Sequence, residues 1–243
     1  MEDQNRLRFT GIRALYGERG FERLQQAQVL LAGTGGVGSW AAEALCRSGV
    51  GHLTLVDPDV IDIKNSNRQL HTLDTTIGLK KAEVLAARLK QINPQVHIEV
   101  KLCWLTPDNL EEVLSPCPHY AIDAIDDIEA KCALINYLYQ QQAVFAVSGG
   151  AGARIDPAKL HLGDLAEAKG DGLIKHVRDV LRREYNFPKG GRKMGIMCSY
   201  SEEQPIYAPD GDPSLPRFGA SMPVTASAGL LLAGYLITKI AAA

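Results

Sequence analysis

The sequence predicts an α/β protein built on a Rossmann-like, doubly wound and mostly parallel sheet, with a C-terminal strand and loop elaboration. Three observations carry this expectation. Between residues 28 and 150, short apolar runs alternate with stretches whose apolar residues recur at helical spacing. A glycine-rich turn, Gly33-Thr34-Gly35-Gly36-Val37-Gly38, joins the first apolar run to the first such helix. The 243 residues are 46% hydrophobic and 22% charged, which suits one soluble α/β unit with an elaboration.

The elements follow in order. Residues 1–27 read as helix, with Leu7, Ile12, Leu15, Phe21 and Leu24 as apolar anchors. Residues 28–32 (QVLLA) form a buried strand that runs into the glycines, and 39–48 a helix rich in Ala and Leu. A second buried strand covers 53–57 (LTLVD), and an amphipathic helix covers 80–92, stopped by Asn93-Pro94. Residues 97–102 alternate as a strand. Thr106-Pro107 opens the next helix, with Thr as cap and Pro at the first position. Residues 120–126 (YAIDAID) and 143–148 are strands flanking a helix at 127–141. Beyond Gly149-Gly150 the texture changes to strand and loop at 154–165, helix at 171–186 and a Pro/Gly-rich stretch at 187–222. The expectation is a single domain over 1–243, with a Rossmann-like core at about 28–150 and an elaboration at about 151–243.

Composition excludes several classes. The net charge of -2 carries no global basic excess of the kind that marks a dedicated nucleic-acid binder. The N-terminus MEDQNRLRF lacks the apolar core of a secretory signal. Five cysteines include no C-x-x-C pair, which predicts a reduced, cytoplasmic protein without structural zinc. Residues 226–243 are apolar apart from Lys239, yet at the short limit for a membrane span. They read as a helix packed on the sheet, with peripheral membrane association as the other reading.

The glycine turn lets the chain approach an anion closely, with backbone N–H groups and a helix N-terminus facing it. Asp57 ends the next strand at the spacing of a ribose-binding carboxylate. These features suit ATP and NAD equally. What favours ATP is Asn65-Ser66-Asn67-Arg68-Gln69 followed by Lys81, because fixed cations stabilise the charge that builds as pyrophosphate leaves. Asp126, at the carboxyl edge of the sheet, suits Mg2+ held against triphosphate oxygens. A basic run at 175–193 places Lys175, Arg178 and Arg182 on one helix face, a candidate surface for RNA phosphates. Cys198 is expected to be a strand residue rather than a nucleophile.

With GTGGVGS (33–39), VDPDVID (56–62), NSNRQ (65–69), GLKKAE (78–83) and DAID (123–126), the chain resembles the ubiquitin-activating-enzyme-like superfamily, which adenylates carboxylates. The resemblance implies that Gly33, Gly35, Gly36 and Gly38 line the phosphates and that Asp57 binds ribose. It implies that Asn67, Arg68, Gln69 and Lys81 bind the nucleotide, that Asp126 holds the metal, and that Arg13, before Arg8, reaches the partner subunit's ATP in a homodimer. RALYGERG (13–20), NSNRQLH (65–71), QINPQ (91–95) and SGGAGARIDP (148–157) are similar to the tRNA threonylcarbamoyladenosine dehydratase group, although the 200–218 loop looks shorter. That likeness implies tRNA as the macromolecular substrate and a sulfur-transfer protein as a candidate partner. The alternative is adenylation of the C-terminus of a ubiquitin-like sulfur carrier, against which the missing C-x-x-C pairs count. An NAD-dependent oxidoreductase leaves Asn67, Arg68 and Lys81 without a role, and a non-catalytic scaffold is the remaining alternative.

Overall fold

The computed structural model describes residues 4–208 and 215–243. Part of the 200–218 loop, residues 209–214, therefore lies outside the described residues. The chain opens with α1 (Gln4–Arg8) and α2 (Thr10–Gln26), the latter broken at Gly17, whose φ of 71° takes it out of helical geometry. There follow β1 (Gln28–Ala32), α3 (Gly38–Arg47), β2 (His52–Val56), α4 (Lys81–Ile92) and β3 (His97–Lys101). Next come α5 (Leu110–Val113), β4 (Tyr120–Asp123), α6 (Ile128–Gln140) and β5 (Val144–Ser148). The elaboration supplies β6 (Leu160–Asp164), α7 (Gly172–Glu184), β7 (Met197–Ser201) and α8 (Met222–Ala242).

The seven strands form one sheet in the order β3-β2-β1-β4-β5-β7-β6. Every neighbouring pair is parallel except β6 with β7. The chain leaves β1 toward β2 on one side and resumes at β4 on the other, so the order switches between β1 and β4. Registers Ala32↔Val56, Val56↔Lys101, Ala32↔Asp123 and Asp123↔Val147 bring the strand ends level. The loops that follow β1, β2, β4 and β5 therefore meet at one edge, where open α/β sheets bind ligands.

Two apolar layers hold the sheet. On one face Leu31, Leu45, Leu85 and Leu89 pack with Leu232, Leu236 and Ile240 of α8; on the other Leu30, Leu134, Ile135 and Leu138 pack with Ile174 and Leu181 of α7. Each fully buried side chain of this size contributes roughly 1.5–3 kcal/mol relative to exposure. Such a face also decides the C-terminal helix. α8 has the length and apolarity to cross a membrane, yet 61% of its most apolar window is buried in the protein.

One expectation is sharpened and two need correction. The Pro/Gly-rich stretch at 187–222 contains the strand expected at Cys198, which is β7; it lies between β5 and β6 with Cys198 completely buried. The interior strand pairs on both sides, and that pairing overrides the weak local signal of MCSYS. Thr106 does not cap a helix: α5 begins only at Leu110, after Asn109, whose side chain accepts from Thr106 N–H at 2.8 Å. This asparagine bond closes a turn before any helix starts. Finally β4 ends at Asp123, so Asp126 lies three residues past the strand rather than at its end. Asp123 is completely buried against the equally buried Lys131, 2.9 Å away, and accepts Ile125 N–H at 3.0 Å. That bond turns the chain out of the sheet and delivers Asp126 to the surface. Burial pushes the Asp123 carboxyl upward, and Lys131 opposes the shift.

Candidate active site

The loop from Gly33 to Val37 is shaped by close approaches. Gly33 has a φ of 84°, and its N–H donates to Val56 O at 2.9 Å. A Cβ at Gly38 would sit 1.9 Å from Gly33 O, so only glycine lets α3 start this close to β1. The N–H groups of Gly35, Gly36 and Val37 donate to no described residue. They lie immediately before α3, and no described side chain caps that helix. Unpaired amides at a helix N-terminus form an anion site.

Arg68 and Gln69 lie against this loop. Arg68 Cγ is 3.1 Å from where a Cβ of Gly36 would be, and Gln69 Nε2 is 3.7 Å from that of Gly35. Trp40 Nε1–H holds the backbone by donating to Arg68 O at 3.0 Å. Arg68 Nη1 donates to Lys64 O and to Asn67 Oδ1, at 3.1 and 3.0 Å, while Nε and Nη2 have no described partner. Asn67 therefore steadies Arg68, and its own Nδ2 donates to Ala220 O at 2.6 Å, tying the crossover to the segment before α8.

Lys81, the first residue of α4, is nearly buried, and its Nζ donates to Asp59 Oδ2 at 2.7 Å. Sequence reasoning did not single out Asp59; its spacing of two from Asp57 was the available signal. Asp57 itself is buried and engaged within the protein. Its Oδ2 accepts from the N–H and hydroxyl of Thr34, at 2.7 and 2.8 Å, and its Oδ1 accepts from Asp59 N–H at 2.9 Å. The carboxylate thus braces the glycine loop, a role absent from the ribose expectation. Thr34 is the other residue that expectation overlooked.

His71 lies completely buried beside these groups. Burial first, then the Lys81 ammonium, depresses its pKa to about 4 against the pull of Asp57, so the ring is neutral at pH 7. Among the described residues neither ring nitrogen has a hydrogen-bond partner, and Gln69 Oε1 and Thr72 Oγ1 are likewise unpaired. Buried polar groups left unpaired each cost about 1–3 kcal/mol.

Asp126 is exposed and makes no hydrogen bond or ion pair with the described residues. Its neighbour Asp127 caps α6 through Ala130 N–H at 2.9 Å. No group of three or more metal-ligating side chains occurs among the described residues. A single free carboxylate beside a phosphate site fits Mg2+, which takes one or two carboxylates together with substrate phosphates.

Arg13 is not brought to this crevice. It donates to Glu18 Oε1, from Nε at 2.8 Å and also from Nη2, and to Arg6 O. Arg8 is equally remote, donating to Ile92 O at 2.8 Å. Both belong to the N-terminal helices, where Phe21 packs over Gly49 and Leu24 O accepts from Gly51 N–H, at the opposite end of the strands. Cys198, buried in β7, has its thiol pushed up to about 12 by burial and by the carboxylates Asp171 and Asp164.

A mostly parallel sheet with unpaired amides at its switch point, Arg68 packed against them and Lys81 at the start of α4, defines a nucleotide-binding α/β protein equipped for phosphate chemistry. The chain belongs to the ThiF family, whose profile matches residues 10–241. It is 38% identical to a tRNA threonylcarbamoyladenosine dehydratase of Escherichia coli, covering 100% of this chain and 96% of that protein. It is 35% identical to the protein of that name from Bacillus subtilis, covering 92% and 91% of the two chains. The crystal structure of the E. coli tRNA N6-threonylcarbamoyladenosine dehydratase in complex with ATP superposes with a TM-score of 0.91. The two chains are 39% identical, covering 98% of this chain and 95% of that one.

Proposed function

We propose that this protein dehydrates the threonylcarbamoyl group of a modified adenosine in tRNA, using ATP. The free carboxylate of that group attacks the ATP α-phosphorus, the bond to the β-phosphate breaks, and pyrophosphate leaves. The carbamoyl part then attacks the acyl carbon. A ring closes, AMP departs, and a proton is released to solvent. The net change in the substrate is loss of one water, so no enzyme nucleophile is needed, in keeping with the protonated, buried thiol of Cys198.

The observation that carries this reading is the unpaired amide row of Gly35, Gly36 and Val37, with Arg68 packed on Gly36. The amide N–H groups donate to the phosphate oxygens, and the free Nε and Nη2 of Arg68 stabilise negative charge as pyrophosphate departs. Lys81 neutralises phosphate charge once it exchanges Asp59 for the ligand, and Asp126 would hold Mg2+. Full-length likeness to the dehydratases supports the substrate.

The assembly we infer is a homodimer. Val60, Ile63, Leu73, Ile77 and Leu79 are 40–63% exposed along the crossover between β2 and α4, an apolar surface of the kind that partners cover. Arg13 of one subunit then serves the crevice of the other. The protein works in the cytoplasm, with α8 as a core helix. The deciding experiment is ATP–pyrophosphate exchange with threonylcarbamoyl-modified tRNA. Exchange that needs the modified tRNA supports the reading; exchange driven instead by a ubiquitin-like sulfur carrier would overturn it.

A further inference from the structure

Charge in this chain is unevenly placed. Residues 166–193 hold eight Lys and Arg against four acids, while the whole chain carries -2. One of those acids, Asp171, is buried as the cap of α7, accepting from Ile174 N–H and Gly150 N–H, both at 2.9 Å. Within this region an open groove of about 580 Å³ lies beneath α7, lined by Lys169, Arg178, Arg182 and Glu167 together with Ala166 and Gly191.

The cations of the groove differ from the rest of the basic run. Arg178 Nη1 donates to Leu165 O and Ala168 O, at 3.2 and 2.8 Å, and Arg182 Nε donates to Pro188 O at 3.0 Å. These carbonyls hold the guanidinium groups in place without neutralising them, leaving other donors free. Lys169 has no acidic partner among the described residues. The one acid of the groove, Glu167, is 3.5 Å from Lys193 Nζ. By contrast Arg183, on the outer face of α7, is spent on its neighbour Glu184 at 2.7 Å. A fixed, unneutralised guanidinium pair is suited to phosphate oxygens and loses little entropy on binding them.

We propose that this groove is a binding subsite for an RNA backbone phosphate, separate from the nucleotide crevice. The proposal rests on the reading that tRNA is the substrate. Position supports RNA. α7 starts at the carboxyl edge of the sheet, where its cap Asp171 holds Gly150 just past β5. At 1.5 Å rise per residue, Arg178 and Arg182 lie about 10 and 16 Å along the helix from that cap. A tRNA with its modified base at the crevice is long enough to reach this groove as well, whereas a free nucleotide is not.

The test compares Lys169→Glu, Arg182→Gln and, as a control, Arg183→Gln. Binding to threonylcarbamoyl-modified tRNA is measured across a salt series, with ATP affinity and thermal melting recorded for each. The expected result is tRNA affinity down at least about tenfold at low salt for Lys169→Glu and Arg182→Gln. The slope of log K against log salt should become shallower by about one for each phosphate that the variant no longer binds. ATP affinity should be unchanged in all three, and Arg183→Gln should bind tRNA as the wild type does. Wild-type affinity and slope in folded Lys169→Glu would overturn the subsite. So would equal losses in all three variants, which mean a diffuse basic surface. Loss of binding to anionic phospholipid vesicles with tRNA binding intact would also overturn it. If the wild type shows no tRNA-dependent pyrophosphate exchange, the underlying reading fails, and the subsite with it.

Discussion

In the proposed reaction, Arg68 and Asp126 are the residues on which the chemistry depends most directly. Each presents groups with no described partner at the mouth of the crevice, and neither supports the core. Arg68→Ala or Asp126→Ala should therefore lower tRNA-dependent adenylation by about 100-fold or more, the scale of roughly 3 kcal/mol for one transition-state donor. Circular dichroism and melting should stay close to wild type. Near-normal exchange in folded Asp126→Ala would remove the metal role. His71 makes a different prediction. Its pKa falls from 6.5 to about 4 on folding, so over that interval the unfolded chain binds the extra proton. The stability this adds is complete above pH 6.5 and is lost as the pH falls toward about 4. The full shift corresponds to roughly 3 kcal/mol. Denaturant titrations at several pH values should show the wild type weakening over this window and His71→Gln weakening less. Parallel losses would mean that other groups drive the acid response.

At the level of elements, the glycines that matter are those where two elements touch. Gly38 places the start of α3 against Gly33 O, and Gly229 of α8 would put a Cβ 2.3 Å from Val37 O. Gly38→Ala should displace the amide row and abolish measurable ATP binding. Gly229→Ala forces α8 away from α3 and should cost about 1–3 kcal/mol. That is a fall in Tm of about 2–4 °C per kcal/mol for a chain of this size. Calorimetry with and without ATP separates the two effects, and full ATP affinity in Gly38→Ala would refute the tight-turn account. β7 carries a third element-scale expectation. Cys198→Ala should keep adenylation and form no covalent intermediate, because the thiol is buried in the sheet. Isolation of a thioester at Cys198 would refute this.

The whole molecule is asymmetric between its two ends. The crevice opens at the carboxyl edge of the sheet, while Arg13 sits among the N-terminal helices at the other edge. A role for Arg13 in catalysis therefore requires a second copy. Sedimentation should give twice the 26.4 kDa chain mass. Mixed Arg13→Ala and Lys81→Ala subunits should regain activity that neither variant has alone. Hybrid dimers without activity would place Arg13 outside the reaction.

By itself the sequence determined the order of strands and helices from 28 to 148, the glycine loop at the first strand end, and the cations and carboxylate behind it. These are legible because apolar periodicity, glycine and charge act locally along the chain. It did not determine the length of β4, the place of β7 or the partner of Asp57. Asp123 ends β4 by accepting Ile125 N–H, and it does so buried against Lys131 of α6. MCSYS becomes a strand only because β5 and β6 pair on either side of it. Asp57 braces Thr34 because the registers of β1 and β2 bring those two loops together. Each of these was decided by tertiary structure, since burial makes a polar group take the partner that packing puts beside it, whatever its spacing in the chain.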